Sequence, residues 1–174
     1  CPVDVFFALS HGVHRGKLKS GKKDDRIEFL SKLQNITPDI KFDLYGVNNV
    51  QPIWADHYFK TISKAKMGLN LSRGEAIKYY SSDRITQIVG NGLVCLIDEK
   101  TQYSNFFEKD EMIFYKNMND LSEKIQRVSR DEELRKNIAK KGKIKYMKYF
   151  NSNLVAQFII EKTLGIKSKQ NYLW

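Results

Sequence analysis

The amino-acid sequence predicts an α/β protein built on a parallel sheet with helices on both faces. Short apolar segments rich in β-branched residues alternate with segments whose apolar residues recur every three or four positions. This alternation requires crossover connections between parallel strands, and it is typical of a Rossmann-like, doubly wound sheet. The 174 residues are 41% hydrophobic, which is sufficient for one sizeable core.

Five segments are predicted to be strands because they are short, apolar and bounded by turn-forming residues. The fourth has no polar residue at all, which suits a strand buried on both faces of a parallel sheet. In chain order the predicted strands are 3–9, 41–45, 67–71, 93–97 and 112–115.

Helical periodicity fills the segments between the predicted strands. Asp24 and Asp25 are expected to begin the first helix, because acidic side chains suit a helix N-terminus. The second helix is predicted over 54–64, and a shorter one follows in 81–98. The predicted core-facing residues of these two helices are Trp54, Tyr58, Phe59, Ile62, Ile85, Ile88 and Val89.

The C-terminal third is predicted to be helical, after a helical turn at 103–107. One helix is expected to be capped by Asn119 or Asp120, a second to start at Asp131, and a third to be capped by Asn151 or Ser152. Gly165 is expected to end the last helix. We therefore predict one domain over 1–165 and a frayed tail over 166–174.

A tight turn, Gly90-Asn91-Gly92, joins the predicted helix of 81–98 to its apolar strand. Both glycines are expected to need a positive φ there. The polar start of this helix can present backbone N–H groups to an anionic ligand. The segment therefore points to a phosphate-bearing substrate.

Composition limits the possible partners and compartments. A net charge of +10 allows an anionic partner, although a solvated lysine-rich surface is the favoured interpretation for 136–148. No apolar run approaches the roughly 20 residues of a membrane span, and no signal peptide pattern occurs. A chain that opens inside a strand, at Cys1, is expected to be a piece of a longer protein. Cys95 is expected to be a buried, reduced core residue, without metal ligation by the three histidines.

The candidate functional residues lie in loops after the predicted strands, because doubly wound folds bind ligands at the carboxyl ends of their strands. Serines there could cap a helix or bind a phosphate, and Arg84 could simply pair with Asp83. The basic loop after the first strand could equally be a flexible loop. We expect Arg15, Arg73 and Arg84 to converge on one edge of the sheet. The candidate phosphate-binding residues are Gly12, His14, Arg15, Lys19, Arg73, Ser81, Ser82, Asp83 and Arg84.

No catalytic residue can be assigned from the pattern. His11 and His14 could serve as a general base, but a lone loop histidine more often forms a hydrogen bond or stacks. His57 falls in a predicted helix among apolar residues, where a structural role is favoured.

Three segments, 54–73, 81–98 and 111–160, carry a family resemblance. In the first of its motifs a helix ends in a small-residue turn before an apolar strand. In the second, Asp120-Leu121 and Lys124-Ile125 precede a run with an arginine, an isoleucine-alanine pair and a glycine. That run is Asp131, Arg135, Ile138-Ala139 and Gly142. The chain resembles the C-terminal half of group-1 glycosyltransferases of the GT-B fold, and within them the spore-maturation-type branch.

The resemblance implies a nucleotide-sugar donor bound by this half, and an N-terminal acceptor domain absent from this chain. It implies metal-independent transfer without a cofactor, to an acceptor that is a glycan, a lipid or a protein. The matching donor-binding positions are Gly12, Arg15 and the run from Ser81 to Arg84. Two glutamates separated by seven intervening residues, common in the family, would fall near Tyr79 and at Gln87, where neither is present.

The expected location is the cytoplasm, including the inner face of the membrane. The alternative is a non-enzymatic basic α/β module that binds nucleic acid or another phosphate ligand. No recognised nucleic-acid motif occurs, so no stable nucleic-acid partner is expected.

Overall fold

The computed structural model describes residues 1–9, 24–168 and 170–173. Within these residues, five strands form one sheet in the order β2-β1-β3-β4-β5, and every neighbouring pair is parallel. The predicted Rossmann-like α/β fold is confirmed. The strands are β1 (Val3–Ala8), β2 (Phe42–Tyr45), β3 (Ala65–Asn70), β4 (Val94–Asp98) and β5 (Ile113–Tyr115).

Helices follow every strand, as the alternation of patterns predicts. Single turns of 3-10 helix at Glu99–Thr101 and Tyr103–Asn105 occupy the segment after β4, where a helical turn was expected. The helices are α1 (Arg26–Ile36), α2 (Ala55–Ile62), α3 (Asp83–Gly90), α4 (Met118–Arg130), α5 (Glu132–Tyr149) and α6 (Ser152–Thr163).

The sheet separates two apolar layers because successive side chains of a strand point to opposite faces. Phe7 of β1 packs in one layer with Leu30 of α1 and Ile125 of α4. Its neighbour Phe6 packs in the other layer, with Ile62 of α2 and Ile88 of α3. Cys95 is buried in the second layer as predicted, and burial raises the pKa of its thiol to about 12.

The predicted helix start at Asp131 is confirmed, and of the two predicted cap candidates for the last helix Asn151 is the cap. The side chains of Asp131 and Asn151 accept hydrogen bonds from Leu134 N (2.9 Å) and Leu154 N (3.1 Å). The prediction for α4 is wrong, because Asn117 is its cap and accepts from Asp120 N at 3.0 Å. The helix begins earlier than expected, which leaves the Asp120 carboxylate to bind Lys124 Nζ at 2.8 Å.

The turn between α3 and β4 uses one glycine rather than two. Gly92 has a φ of +76°, as predicted, whereas Gly90 is the last residue of α3 and does not have a positive φ. Gly92 N donates to Val89 O and Leu93 N donates to Ile88 O, at 3.0 and 3.1 Å. These two bonds form a Schellman motif, which needs a single left-handed residue.

The last helix is only loosely covered by the rest of the chain. None of the α6 residues is buried, and Val155, Ile159 and Ile160 are exposed. The tail is not frayed throughout, since the Tyr172 ring packs on Phe158 and its hydroxyl donates to Glu161. The domain boundary at residue 165 stays a prediction. Among the described residues, no helix is long and apolar enough to cross a membrane.

Candidate functional site

A cavity of about 650 Å³ lies at the carboxyl ends of β1 and β3, the edge at which a ligand was expected. Three stretches of chain line it: the end of β1, the segment 53–59 that includes the start of α2, and the segment 80–87 that includes the first turns of α3. A second cavity, of about 640 Å³, lies beside the edge strand β5 and contains none of the predicted residues. The first cavity is lined by Ala8, Leu9, Ile53, Trp54, Ala55, Tyr58, Phe59, Tyr80, Ser81, Ser82, Asp83, Arg84 and Gln87.

Arg84 is held at the inner side of this cavity. Its Nη1 donates to the carbonyl oxygen of Leu71 at 3.0 Å, and its guanidinium carbon lies 5.1 Å from the centroid of the Phe7 ring. Burial lowers the pKa of Arg84 and the nearby Arg26 lowers it further, but a guanidinium stays charged at neutral pH. Asp83 and Arg84, both described, form no ion pair with each other. Arg84 therefore brings a positive charge to the cavity.

The N-terminus of α3 has no side-chain cap. Ser82 occupies the capping position with extended backbone, but its side chain makes no capping hydrogen bond. Its hydroxyl instead donates to Oδ1 of the buried Asn70, at the end of β3, at 3.1 Å. The capping interpretation of Ser82 is therefore wrong. Ile85 N donates to the Ser82 carbonyl oxygen at 3.0 Å, and the N–H groups of Asp83 and Arg84 are left for another acceptor.

Arg73 lies on the same edge of the sheet but does not line the cavity. Its Nε is 3.9 Å from Oδ2 of the buried Asp24. Asp24 also binds Arg26, whose Nε and Nη2 donate to the carboxylate at 2.9 and 2.5 Å. Hydrogen bonds from Arg26 lower the pKa of Asp24 to about 2, against the opposing effect of burial. Arg73 thus faces an ion pair that the sequence pattern did not reveal.

The remaining predicted ligands lie outside the described residues. Gly12, His14, Arg15 and Lys19 all belong to segment 10–23, which follows Leu9 directly in the chain. Their contribution to the site stays a prediction. So does the convergence of Arg15 with Arg73 and Arg84.

The outer wall of the cavity is aromatic, which the sequence pattern did not predict. Trp54 and Phe59 were predicted to face the core, but their exposed fractions are 60% and 52%. The prediction is wrong because α2 begins at Ala55 and has only eight residues, so it buries one narrow stripe. Phe59 follows Tyr58 directly and cannot share that stripe, which is the signal that could have revealed it. Tyr80 completes the wall from the loop before α3.

The arrangement suits an organic anion that carries a ring system. Arg84 and the α3 N-terminus offer positive electrostatic potential, and the aromatic wall offers flat apolar surface. In the part of the chain that the structure describes, no group of three or more His, Cys, Asp or Glu side chains could hold a metal ion.

Residues 25–161 match the model of a family described as glycosyl transferase-like. The chain belongs to this family. No curated protein sequence matches it. The family match extends from the start of α1 almost to the end of α6, so it includes the α2, α3 and Arg84 portions of the cavity.

Solved glycosyltransferase structures share the fold. A point mutant of S. aureus TarM, solved in complex with fondaparinux, α-GlcNAc-glycerol and UDP, superimposes with a TM-score of 0.65 and 15% identity over 95% of this chain. An α1,3-fucosyltransferase solved with GDP gives 0.66 and 12% over 97%, and its GDP-fucose complex gives 0.66 and 13% over 98%. These likenesses confirm the predicted fold, one half of a GT-B fold. This chain spans 35%, 48% and 49% of the three chains.

Proposed function

We propose that this chain is the donor-binding half of a glycosyltransferase and that its cavity at the ends of β1 and β3 holds a nucleoside diphosphate sugar. The observation that carries the proposal is the meeting of Arg84, the uncapped α3 N-terminus and an aromatic wall in one cavity of about 650 Å³. The ligands named for the solved relatives, UDP, GDP and GDP-fucose, support the same ligand class.

The diphosphate is placed at the start of α3. The first N–H groups of that helix and the Arg84 guanidinium neutralise its charge. Gly12, His14, Arg15 and Lys19, which lie outside the described residues, are its remaining proposed ligands. The Ser81 hydroxyl is a donor at the same end of the helix, whereas the Ser82 hydroxyl donates to Asn70 and holds the segment in place. Asp83 is exposed in the first turn, where its carboxylate repels a phosphate and instead suits the hydroxyl groups of a ribose or sugar.

The aromatic wall provides the selectivity for a ring. Trp54, Phe59 and Tyr80 give flat surfaces on which a nucleobase or the apolar face of a sugar packs. Gln87 lies at the same wall, at the position where the resemblance would place a glutamate, and its amide offers both a donor and an acceptor.

Transfer breaks the bond between the anomeric carbon and the diphosphate oxygen, and the electron pair leaves with that oxygen. An acceptor hydroxyl oxygen forms the new bond to the anomeric carbon, and its proton passes to the departing diphosphate or to solvent. The role of this chain is to stabilise the charge on the departing diphosphate by fixed N–H groups and guanidinium groups, without a metal ion or cofactor. The acceptor, a glycan, a lipid or a protein, binds to an N-terminal domain outside this chain. We place the enzyme in the spore-maturation-type branch and in the cytoplasm, including the inner face of the membrane.

A thermal-shift experiment with UDP, GDP and ADP at millimolar concentrations tests the proposal. A ligand present at 100 times its Kd adds about 2.7 kcal/mol to the free energy of unfolding, which is a shift of several degrees. The same nucleosides without phosphates serve as controls for the diphosphate contribution. Absence of stabilisation by all three nucleotides would contradict the proposal.

The second candidate is a non-enzymatic module that binds nucleic acid. Segment 132–167 favours it, with nine lysines and arginines against three glutamates, a net +6 of the chain's +10. Affinity for generic DNA or RNA that falls steeply with salt, without any preference for a nucleoside diphosphate, would support this candidate over the first.

A further inference from the structure

We propose that Tyr79 is a positioning residue that holds the cavity-lining segment 80–82 in its binding geometry. The proposal rests on the proposed function for its ligand but on the structure for its mechanism. Tyr79 does not line the cavity itself, whereas Tyr80, Ser81 and Ser82, which follow it directly, do.

The backbone of Tyr79 is held in an unfavourable conformation. Its φ is +57°, in the left-handed region that a bulky side chain rarely adopts. Such a conformation persists only where the surroundings impose it, and it is commonly found beside binding sites. Segment 71–82 has no helix or strand of its own that could impose it.

Contacts with the segment after β4 impose this conformation instead. Tyr79 N donates to Thr101 O at 2.9 Å, and Asn105 Nδ2 donates to the Tyr79 hydroxyl at 2.6 Å. The Tyr79 ring lies 4.9 Å from the Phe106 ring, centroid to centroid. One backbone bond, one side-chain bond and one ring contact therefore fix Tyr79 at three separate points.

The segment after β4 that contacts Tyr79 is itself fixed to the core. Phe106 contacts the rings of Tyr103 and Phe150, each about 6.0 Å away between centroids. Thr101 is buried, and its hydroxyl donates to Asp98 O at the end of β4 at 2.6 Å. The contacts of Tyr79 thus hold the loop that lines the cavity in a fixed position relative to β4.

The direct consequence is the direction of the next three residues. The left-handed residue turns the chain so that Tyr80 joins the aromatic wall and Ser82 reaches Asn70 at the end of β3. Without the contacts of Tyr79, segment 80–82 adopts other conformations. The cavity then loses one wall together with the hydroxyl groups near the α3 N-terminus.

Two variants separate the contribution of the Tyr79 hydroxyl from that of the Tyr79 ring. Tyr79→Phe keeps the ring and removes the bond to Asn105, and we expect about three- to tenfold weaker binding of UDP or GDP by calorimetry. Tyr79→Asn tolerates a positive φ but removes the ring and the hydroxyl, and we expect at least about tenfold weaker binding. Tyr172→Phe is the matched control, because it loses a hydroxyl bond to Glu161 far from the cavity.

Amide hydrogen exchange gives a second measurement that needs no ligand. We expect exchange at residues 80–82 to be about tenfold faster in Tyr79→Asn than in the parent, with the β4 amides unchanged. If the parent chain binds no nucleotide, the proposed function fails and the exchange result alone decides the role of Tyr79. A lower melting temperature with unchanged exchange at 80–82 and unchanged nucleotide affinity would overturn the proposal.

Discussion

Arg84 contacts the protein's own backbone as well as the cavity, and this changes the effect expected of its removal. Binding of a nucleoside diphosphate should weaken by about 1.5–3 kcal/mol in Arg84→Ala, the value of a charge-assisted hydrogen bond. The bond to Leu71 O and the contact with Phe7 are lost as well. We therefore expect about 1–2 kcal/mol of lost stability in addition to the weaker binding.

Calorimetry and urea unfolding measure the two effects of Arg84→Ala separately. Arg130→Ala is the matched control, since Arg130 is exposed at the end of α4, at the opposite edge of the sheet. An affinity equal to that of the parent would remove Arg84 from the binding site, whatever happens to stability.

Gly92 offers a test of backbone strain without a steric contribution. A Cβ at this position would meet no atom within 4 Å, so only the positive φ opposes a side chain there. We expect a loss of about 1 kcal/mol for Gly92→Ala and about 2 kcal/mol for Gly92→Val, read as a shift in the midpoint of a denaturant melt.

Gly90→Ala is the control for this measurement. Gly90 is helical, and an added Cβ would make only an ordinary contact with Met147 at 3.6 Å. We expect this substitution to be neutral or stabilising by up to about 1 kcal/mol. Equal midpoints for Gly90→Ala and Gly92→Ala would show that Gly92 carries no strain.

At the scale of elements, the start of α1 is stabilised by a buried ion pair that titrates in acid. The pKa of Asp24 is about 2 in the folded chain, below its ordinary value of 3.8. A depressed carboxyl pKa stabilises the fold above pH 4, and this stabilisation is lost as the pH falls from 4 to 2. The loss amounts to about 2 kcal/mol.

Asp24→Asn removes the titration and leaves the buried Arg26 without its carboxylate. We expect it to be less stable than the parent by about 3–5 kcal/mol at pH 6. That difference should narrow by about 2 kcal/mol at pH 2 in urea unfolding, because the parent then loses its own ion pair. Asp39→Asn is the control, because it removes a carboxylate at an exposed site between α1 and β2 and should change stability little at either pH. A difference that stays constant between pH 6 and pH 2 would contradict the assignment.

The packing of α5 explains why the family motif ends in a glycine. The glycine that ends the family run is Gly142, and a Cβ there would overlap the carbonyl oxygen of Glu111. The helix can approach that backbone closely only at a residue without a side chain. Lys145, one turn later, fixes the same contact by an ion pair with the Glu111 carboxylate at 2.7 Å.

At the scale of the whole molecule, this chain spans less than half of the solved chains it resembles. Transfer needs an acceptor held against the donor, and the acceptor domain lies outside this chain in our proposal. We therefore expect the purified 174-residue chain to bind a nucleoside diphosphate and to show no transfer from a nucleotide sugar. Calorimetry and a product assay with a panel of donors measure the two parts. Robust transfer by this chain alone would refute the division of roles.

The sequence by itself determined the order of strands and helices. In the sequence of a parallel α/β protein the strands appear as short apolar runs, and the helices appear as apolar residues every three or four positions. Both patterns involve only residues that are close together in the chain. Local hydrogen bonds likewise made the caps at Asp131 and Asn151 and the left-handed Gly92 predictable. The approximate place of the site followed from the rule that ligands bind at the carboxyl ends of parallel strands.

Only the tertiary structure decided what each polar or aromatic side chain contacts. Ser82 binds Asn70 rather than capping α3, and Trp54 and Phe59 line a cavity rather than the core. These outcomes depend on distances between segments that are far apart in the chain. They also depend on the position at which a helix begins, which for α2 is one residue later than predicted. Periodicity identifies the side of a helix that is apolar, but the neighbouring elements determine whether that side is covered.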